Sequence, residues 1–149
     1  MAIPIREAER SDLDELLTLY THLNPSDPSL QHDLAERIFA EMLTREGLSV
    51  LVAVLDEKLV GSVTLVTVPN LTRGGASYAL AENVVTHDDY RRRGIGKALL
   101  TEAAKRVNAA GGYKLMLLTG RSEPHVRAFY SDCGFRQDKV GLQIRFDGR

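Results

Sequence analysis

Apolar positions near the start of the chain follow a strand spacing and then a helical spacing. Residues 3–8 predict a short strand, and Ser11 is the expected N-cap of the helix that follows. The apolar side of that helix is formed by Leu13, Leu16, Leu17 and Tyr20. The turn-forming stretch NPSDPS at 24–29 separates it from a second helix over about 32–46, which Gly47 is expected to end. Two helices are therefore predicted before the main sheet.

The middle of the chain is rich in β-branched residues. The stretches 48–55 and 59–68, separated by three charged residues, predict a hairpin, and 78–86 predicts a third strand beside it. Further along, 113–120 predicts another strand, and 135–146 predicts one or two closing strands around its glycine. The sheet is thus expected to use most of the second half of the chain.

Two more helices are predicted between these strands. After Gly94, apolar residues recur at helical spacing until a glycine pair, and a shorter helix is predicted over 123–133. The resulting order is β, α, α, β, β, β, α, β, α, β. It favours a mixed α/β fold whose N-terminal sheet is antiparallel, with one crossover helix between two parallel strands. A chain of 149 residues fits one domain, 1–149.

Composition and charge argue against several classes of protein. With 19 Lys and Arg against 20 Asp and Glu, the net charge of -1 argues against a nucleic-acid-binding protein. The single cysteine, Cys133, and the start MAIPIREAER, which has no apolar signal core, predict a reducing cytoplasm. No apolar run approaches the roughly 18 residues of a membrane span. The four histidines lack metal-ligand spacing, so no metal is expected.

The stretch HDDYRRRGIGKALL, at 87–100, carries the clearest chemistry. A strand followed by a glycine-containing loop and a helix start can bind phosphate, because helix N-terminal amides have no intrahelical partners. Arg91, Gly94 and Gly96 therefore fit a pyrophosphate site, and a purely structural turn is the alternative interpretation of the glycine pair. A P-loop is a poor fit, since one residue separates the glycines and Lys97 is followed by alanine; the dinucleotide fingerprint fails because Leu99 stands where its third glycine belongs.

Two motifs together point to a family. Arg91, Gly94 and Gly96 match Arg/Gln-x-x-Gly-x-Gly/Ala, and FYSDCGF at 129–135 matches Phe-Tyr-x-x-x-Gly-Phe. With the element order, these motifs make the chain resemble the GNAT superfamily of acetyl-CoA-dependent N-acetyltransferases. The resemblance implies a single-domain α/β GNAT fold with about four helices. Its mixed sheet would be antiparallel at first, and its two parallel strands, 78–86 and 113–120, would be splayed at the cofactor.

The resemblance also implies how acetyl-CoA would be bound. The strand before the loop would pair its backbone with the pantetheine arm through Val84, Val85 and Thr86. The loop amides would hold the pyrophosphate, and the residues concerned are Arg91, Arg92, Arg93, Gly94, Ile95, Gly96 and Lys97. The arginine side chains fit two interpretations equally well, a solvated helix approach or contacts to CoA phosphates.

Two residues are implied as catalytic. Glu82 stands where several GNAT members place a glutamate that accepts the amine proton, although a glutamate in a strand is often a plain surface residue. Tyr130 matches the tyrosine that protonates the leaving thiolate, although a core aromatic is the alternative interpretation. Glu123 stands where many members have asparagine, and Cys133 is expected to be a small buried side chain.

The acceptor is less defined than the donor. The C-terminal half is similar to glucosamine 6-phosphate N-acetyltransferases and, more loosely, to aminoalkylphosphonate acetyltransferases. The resemblance thus implies direct transfer, in a ternary complex, to a primary amine of a small molecule, in a protein that forms homodimers as related members do. Two alternatives stay open: an acetyltransferase of peptide N-termini or lysines, and a non-catalytic acyl-CoA sensor on the same fold.

Overall fold

The computed structural model describes residues 2–149. Its strands are β1 (Ile5–Glu7), β2 (Leu48–Leu55), β3 (Lys58–Val68), β4 (Tyr78–Thr86) and β5 (Lys114–Met116). Its helices are α1 (Leu13–Leu23), α2 (His32–Thr44), α3 (Ile95–Ala109) and α4 (Pro124–Asp132). The chain divides into two compact units, one that ends at Leu117 and one formed by Leu118–Arg149, and each is described by itself.

The sheet of the first unit has the strand order β1-β2-β3-β4-β5. All neighbours are antiparallel except β4 and β5, which are parallel, so the predicted mixed sheet is confirmed. β5 is much shorter than the predicted 113–120. Its register with β4 ends at the pair Leu80 and Met116, while β4 continues to Thr86. In the described residues the two parallel strands therefore separate after Leu80.

A β-bulge interrupts β4 shortly after that point. Thr64 of β3 pairs with Glu82, but Ser62 pairs with Val85, so β4 has one residue more than β3 between these two pairs. Within this stretch Asn83 has a φ of 51°, in the left-handed region that asparagine tolerates better than most residues. The bulge re-aims the end of β4 relative to its start.

Helix α3 lies unusually close to the sheet. A Cβ atom at Gly61 of β3 would stand 2.6 Å from Cγ2 of Ile95, closer than real Cβ atoms are found, and 3.0 Å from Cδ1 of Leu99, which is a tight contact. Because Gly61 pairs with Thr86, this contact sets the first turn of α3 beside the end of β4. The glycine thus positions the loop between them.

The first helix begins differently from the prediction. Residues Arg10–Asp12 form a 3-10 turn and α1 starts at Leu13, so Ser11 is not its N-cap. The Asp12 carboxylate accepts hydrogen bonds from the Arg6 guanidinium at 2.7 and 2.9 Å and from the Glu9 amide at 2.7 Å. The bond to Arg6 lowers the pKa of Asp12. A buried aspartate with this partner determines the start of the helix in place of the serine.

The second unit contains α4 and an irregular C-terminal segment. Pro124 occupies the first turn of α4, as its fixed φ favours, and Gly134 follows the helix with a φ of 93°. The prediction of closing strands over 135–146 is wrong, since no strand is assigned there. The alternating pattern is present, but a strand also needs a partner for its backbone groups, and the described chain supplies none to this segment.

Candidate active site

The loop before α3 presents a row of backbone amides. Arg92 has a φ of 64° and Gly94 has a φ of 81°, while Arg91 between them and β4 is extended. In the described residues the amides of 92–97 form no hydrogen bond, and the helix ladder starts with the Ala98 amide, which donates to the Gly94 carbonyl at 3.0 Å. Successive free amides at a helix N-terminus form a concavity that suits an anion.

Two of the three arginine side chains are engaged within this same loop. Arg91 forms an ion pair with Asp88 at 2.7 Å, and the Arg93 guanidinium lies 4.9 Å from the centre of the Tyr90 ring. Arg92 is exposed and has no ion pair among residues 2–149. Arg91 therefore helps to shape the loop, while Arg92 has a side chain available to a ligand.

The end of β4 offers its backbone on one side. The residues Val85 and Thr86 pair with Ser62 and Gly61 of β3. On the side of β5 the register ends before the bulge, so the backbone groups that point that way have no strand partner in the described chain. The Val85 side chain is buried, while Val84 and Thr86 are half-buried. The side chains of this strand can thus pack in the core while its free backbone groups form hydrogen bonds to an extended ligand.

Glu82 lies on β4 immediately before the bulge, with an exposed side chain. Its cross-strand partner is Thr64, and such partners point to the same face of a sheet. Thr64 is 6% exposed, and its hydroxyl oxygen forms no hydrogen bond of standard geometry within the described chain. Glu82 therefore shares its face with a buried polar group that has spare hydrogen-bonding capacity.

Tyr20 of α1 completes this face. Burial raises the pKa of Tyr20, and the neighbouring hydroxyl groups of Thr64 and Ser62 partly offset that effect. The Ser62 hydroxyl itself donates to the Leu51 carbonyl at 3.0 Å. Sequence reasoning placed Tyr20 only on an apolar helix side and did not single out Thr64, because their meeting depends on how α1 crosses β3.

His22, in the last turn of α1, connects that helix to the loop that precedes α3. Its Nδ1 atom lies 3.0 Å from the Asp88 carboxylate, which also holds Arg91. The rings of His22 and His87 have centroids 4.2 Å apart, and His87 in turn meets Tyr90 edge-on. The hydrogen bond from His22 is the largest cause of the lowered pKa of Asp88. No local pattern in the sequence predicts this cluster, because His22 and Asp88 lie far apart along the chain.

Tyr130 belongs to the second unit, on α4. Its ring meets Phe129 at 5.1 Å and Phe135 edge-on at 6.0 Å. Burial raises the pKa of Tyr130, the neighbouring Cys133 raises it further, and Arg121 lowers it. The phenol is thus neutral near pH 7 and has a proton to give. Cys133 is half-buried and forms no disulfide.

Metal-ligating side chains meet only on the surface of the described residues. His32, Asp33 and Glu36 offer ligand atoms within 4.8 Å of one another, all on exposed side chains of the first turns of α2. The His32 imidazole is already engaged by Asp14 at 2.9 Å. Exposed groups at such spacings are common on helices, so this cluster supports no metal centre.

None of the helices in the described residues is both long and apolar enough to cross a membrane.

His125 and Glu123 flank the start of α4, and both are exposed.

Comparison with known proteins agrees with this geometry. The acetyltransferase (GNAT) family matches residues 15–135. Glucosamine 6-phosphate N-acetyltransferase of Trypanosoma brucei brucei is 33% identical over 147 residues, which cover 97% of this chain and 95% of that protein.

Solved structures show the same fold. A putative acetyltransferase from Agrobacterium tumefaciens is 49% identical, with a TM-score of 0.93 over 97% of this chain and 100% of its own. A Trypanosoma brucei acetyltransferase is 32% identical, with a TM-score of 0.83 over 97% of this chain and 99% of its own. On the family match and these relatives, the chain belongs to the GNAT family of acetyltransferases.

Proposed function

We propose that this acetyltransferase transfers the acetyl group of acetyl-CoA to the primary amine of a small phosphorylated molecule, with glucosamine 6-phosphate as the first candidate. The observation that carries the donor assignment is the run of free amides at 92–97. The acceptor assignment rests on the trypanosomal relative, which has that name and aligns over nearly the whole chain.

The loop is suited to the pyrophosphate of CoA. A Cβ atom added at Gly94 would meet nothing within 4 Å, so the space in front of this residue is open. The free amides and the positive end of the α3 dipole would stabilise the two phosphates. The free backbone edge of β4, from Val84 to Thr86, would pair with the pantetheine arm as an added strand does. The exposed Arg92 guanidinium would add positive charge beside the phosphates.

The acceptor would lie on the α1 face of β4. An alkyl primary amine with a pKa near 10 has only about one molecule in a thousand uncharged at pH 7, so a base must remove a proton. Glu82 would accept that proton through a water molecule, since its exposed carboxylate is open to solvent. The hydroxyl groups of Tyr20 and Thr64 would orient the amine or the water, because they lie on the same face.

Acetyl-CoA supplies the thioester carbonyl that the amine attacks. The carbon–nitrogen bond forms and the carbon–sulfur bond breaks. Glu82 holds the proton removed before the attack and later releases it to solvent, and the second proton that the nitrogen loses also passes to solvent, from which Tyr130 recovers the proton that it gives. The sulfur leaves as a thiolate and receives a proton from the Tyr130 hydroxyl, which is protonated at neutral pH because burial raises its pKa. Acid and base are thus two separate side chains in the proposal.

A thiol-release assay tests this function. The protein is given acetyl-CoA and, in turn, glucosamine 6-phosphate, glucosamine, an aminoalkylphosphonate, a polyamine and a peptide with a free N-terminus. Release that is much faster with the phosphorylated amino sugar than with glucosamine supports the proposal. Faster release with the peptide would replace it with peptide acetylation. Binding of acetyl-CoA by calorimetry without any release would indicate the sensor function.

A further inference from the structure

The turn that leads from β4 into the loop before α3 is capped by a side chain that can take up a proton. His87 precedes the 3-10 turn Asp88–Tyr90, and its Nδ1 atom accepts a hydrogen bond from the Asp89 amide at 3.1 Å. The first amides of a helical turn have no partner within the turn, so a side-chain acceptor at this position stabilises it. Because Nδ1 uses its lone pair in this bond, the neutral His87 imidazole has its hydrogen on Nε2.

The backbone and the ring of His87 also connect this turn to its surroundings. The His87 amide donates to the Val60 carbonyl of β3 at 2.9 Å, and the His87 carbonyl accepts from the Tyr90 amide at 2.9 Å. The ring meets Tyr90 edge-on, with centroids 5.5 Å apart, and the Arg93 guanidinium lies 4.9 Å from the centre of the Tyr90 ring. The orientation of one imidazole therefore influences the turn and, through Tyr90, the loop that follows.

Charges of both signs surround His87. The ionisable groups that face it from α1, from the turn between β2 and β3 and from its own loop are His22, Asp56, Lys58, Asp88, Asp89 and Arg93. Asp88 is itself paired with His22 and Arg91. The His87 side chain is 28% exposed and lines a cavity of about 280 Å³, so a proton can reach it from solvent. With cations and carboxylates both close by, the bond that Nδ1 accepts decides what protonation does.

We propose that His87 is a positioning residue whose protonation releases this turn, so that acetyl-CoA binding by the loop before α3 weakens as the pH falls. The inference rests on the proposed function of that loop. A proton added to the neutral ring goes to Nδ1, which then becomes a donor and no longer accepts from the Asp89 amide. The ring then turns to pair with a carboxylate, and the Asp89 Oδ2 atom lies only 4.0 Å from Nδ1. Imidazole is the side chain that changes charge between about pH 5 and 8, so the cap is present above this range and lost below it.

Replacement of His87 by asparagine separates the cap from the charge. An asparagine side chain is a good N-cap, but it takes up no proton in this range. Near pH 7.5, His87→Asn should bind acetyl-CoA about as tightly as wild type. At about pH 5.5, wild type should bind about fivefold more weakly than this variant, since that is the usual contribution of a cap. His87→Leu has no acceptor and should show the fivefold loss at both pH values. Calorimetry measures the dissociation constants.

The ratio of each variant to wild type isolates the effect of His87. The phosphomonoester of CoA also takes up a proton near pH 6, but this change affects every variant alike. His32→Asn is the matched control, because His32 is an exposed histidine at the start of α2, and its pH profile should follow that of wild type. A His87→Asn profile that also follows wild type overturns the proposal. So do equal losses for the asparagine and leucine variants near pH 7.5, because a cap requires an acceptor.

Nitrogen NMR without acetyl-CoA tests the cap independently of the proposed function. Near pH 7.5 the His87 Nδ1 resonance should be that of an unprotonated nitrogen, and the Asp89 amide resonance should titrate with the same midpoint as the ring. A ring whose unprotonated atom is Nε2, or an Asp89 amide that does not titrate with the ring, overturns the inference. If both signatures are present and acetyl-CoA binds at no pH, the titratable cap is confirmed and the proposed donor site is wrong.

Discussion

The Nδ1 atom of His22 lies 3.0 Å from the Oδ2 atom of Asp88, which ties the last turn of α1 to the loop that precedes α3. The other oxygen of Asp88 holds Arg91, the first residue of the amide-rich loop. A helix on the proposed acceptor side is therefore linked through one carboxylate to the proposed donor site. We expect the geometry of the loop to depend on this link.

Replacement of His22 by leucine should weaken acetyl-CoA binding by about threefold, a small effect because the ion pairs at Asp88 are largely exposed. The carboxylate should stay available to Arg91 at neutral pH. The pKa of Asp88 is lowered in the folded state. The stability that the ionised Asp88 carboxylate contributes is therefore present above the ordinary aspartate pKa, and it is lost as the pH falls through the lowered value. Calorimetry at neutral pH measures the loss of binding, and the free energy of unfolding between about pH 2 and 5, on both sides of the ordinary aspartate pKa, measures the pH effect.

The matched control is His32→Leu. His32 lies on α2 and pairs with Asp14, which is near the start of α1, whereas His22 is near the end of α1. If this variant bound acetyl-CoA as weakly as the His22 variant, the loss would come from general loosening of α1 and not from the Asp88 link.

Gly94→Ala should harm cofactor binding more than Arg92→Ala does. Gly94 has a φ of 81°, and a non-glycine residue in that region costs roughly 1–2 kcal/mol, so the loop should relax away from the geometry that exposes its amides. Removal of the Arg92 side chain deletes one exposed charge and leaves the amides in place. Dissociation constants for CoA in low and high salt measure the difference. If both variants lost the same affinity for CoA, and neither differed from wild type in high salt, the arginine charge would matter more for binding than the loop amides.

Glu82→Gln should lower the turnover number by about 10²-fold to 10⁴-fold, the usual contribution of a general base, while acetyl-CoA affinity stays unchanged. The defect should shrink as pH rises, because a larger fraction of the acceptor amine is then already uncharged. A pH–rate profile with saturating acetyl-CoA measures it. Glu57→Gln, in the exposed turn between β2 and β3, is the control and should behave as wild type. A pH-independent loss for Glu82→Gln would indicate a binding role.

Tyr130→Phe should slow the reaction and leave acetyl-CoA binding intact, because it removes only the hydroxyl that is proposed to protonate the thiolate. Burial raises the pKa of Tyr130, so the wild-type enzyme should keep this acid until the pH exceeds the ordinary tyrosine value of about 10. By the same shift, stability from the neutral phenol is present below that value and is lost as pH rises through the raised one. Activity with an acyl donor whose thiol is more acidic should be less affected, and equal slowing with both donors would argue against the acid role.

Local patterns were sufficient for most helices and strands and insufficient for the details of the site. The predicted α3 and β4 agree with the structure because periodicity and glycine positions are local properties. The bulge at Asn83 was missed because it depends on the register between β3 and β4. The prediction of strands over 135–146 was wrong for the converse reason. The alternating pattern is a local property, but a strand also needs a neighbouring strand to pair with, and that depends on the tertiary fold. The meeting of Tyr20 with Thr64 likewise requires tertiary packing.

Gly61→Ala tests how the structure positions the loop before α3, which we propose binds the CoA phosphates. The added Cβ would stand 2.6 Å from Ile95 Cγ2 and 3.1 Å from the Val85 carbonyl oxygen, so α3 or the end of β4 must shift. Overpacking of this kind costs typically about 1–3 kcal/mol in the free energy of unfolding. Gly120→Ala is the control, since a Cβ there meets nothing within 4 Å. Denaturant unfolding without acetyl-CoA measures the loss of stability from overpacking, and unfolding with acetyl-CoA measures how much the ligand still stabilises the variant. Because Ile95 is the first residue of the helix whose amides are proposed to bind acetyl-CoA, the Gly61 variant should also gain less stability from acetyl-CoA than wild type does. An equal gain would show that the loop keeps its geometry when α3 moves, and that Gly61 serves packing alone.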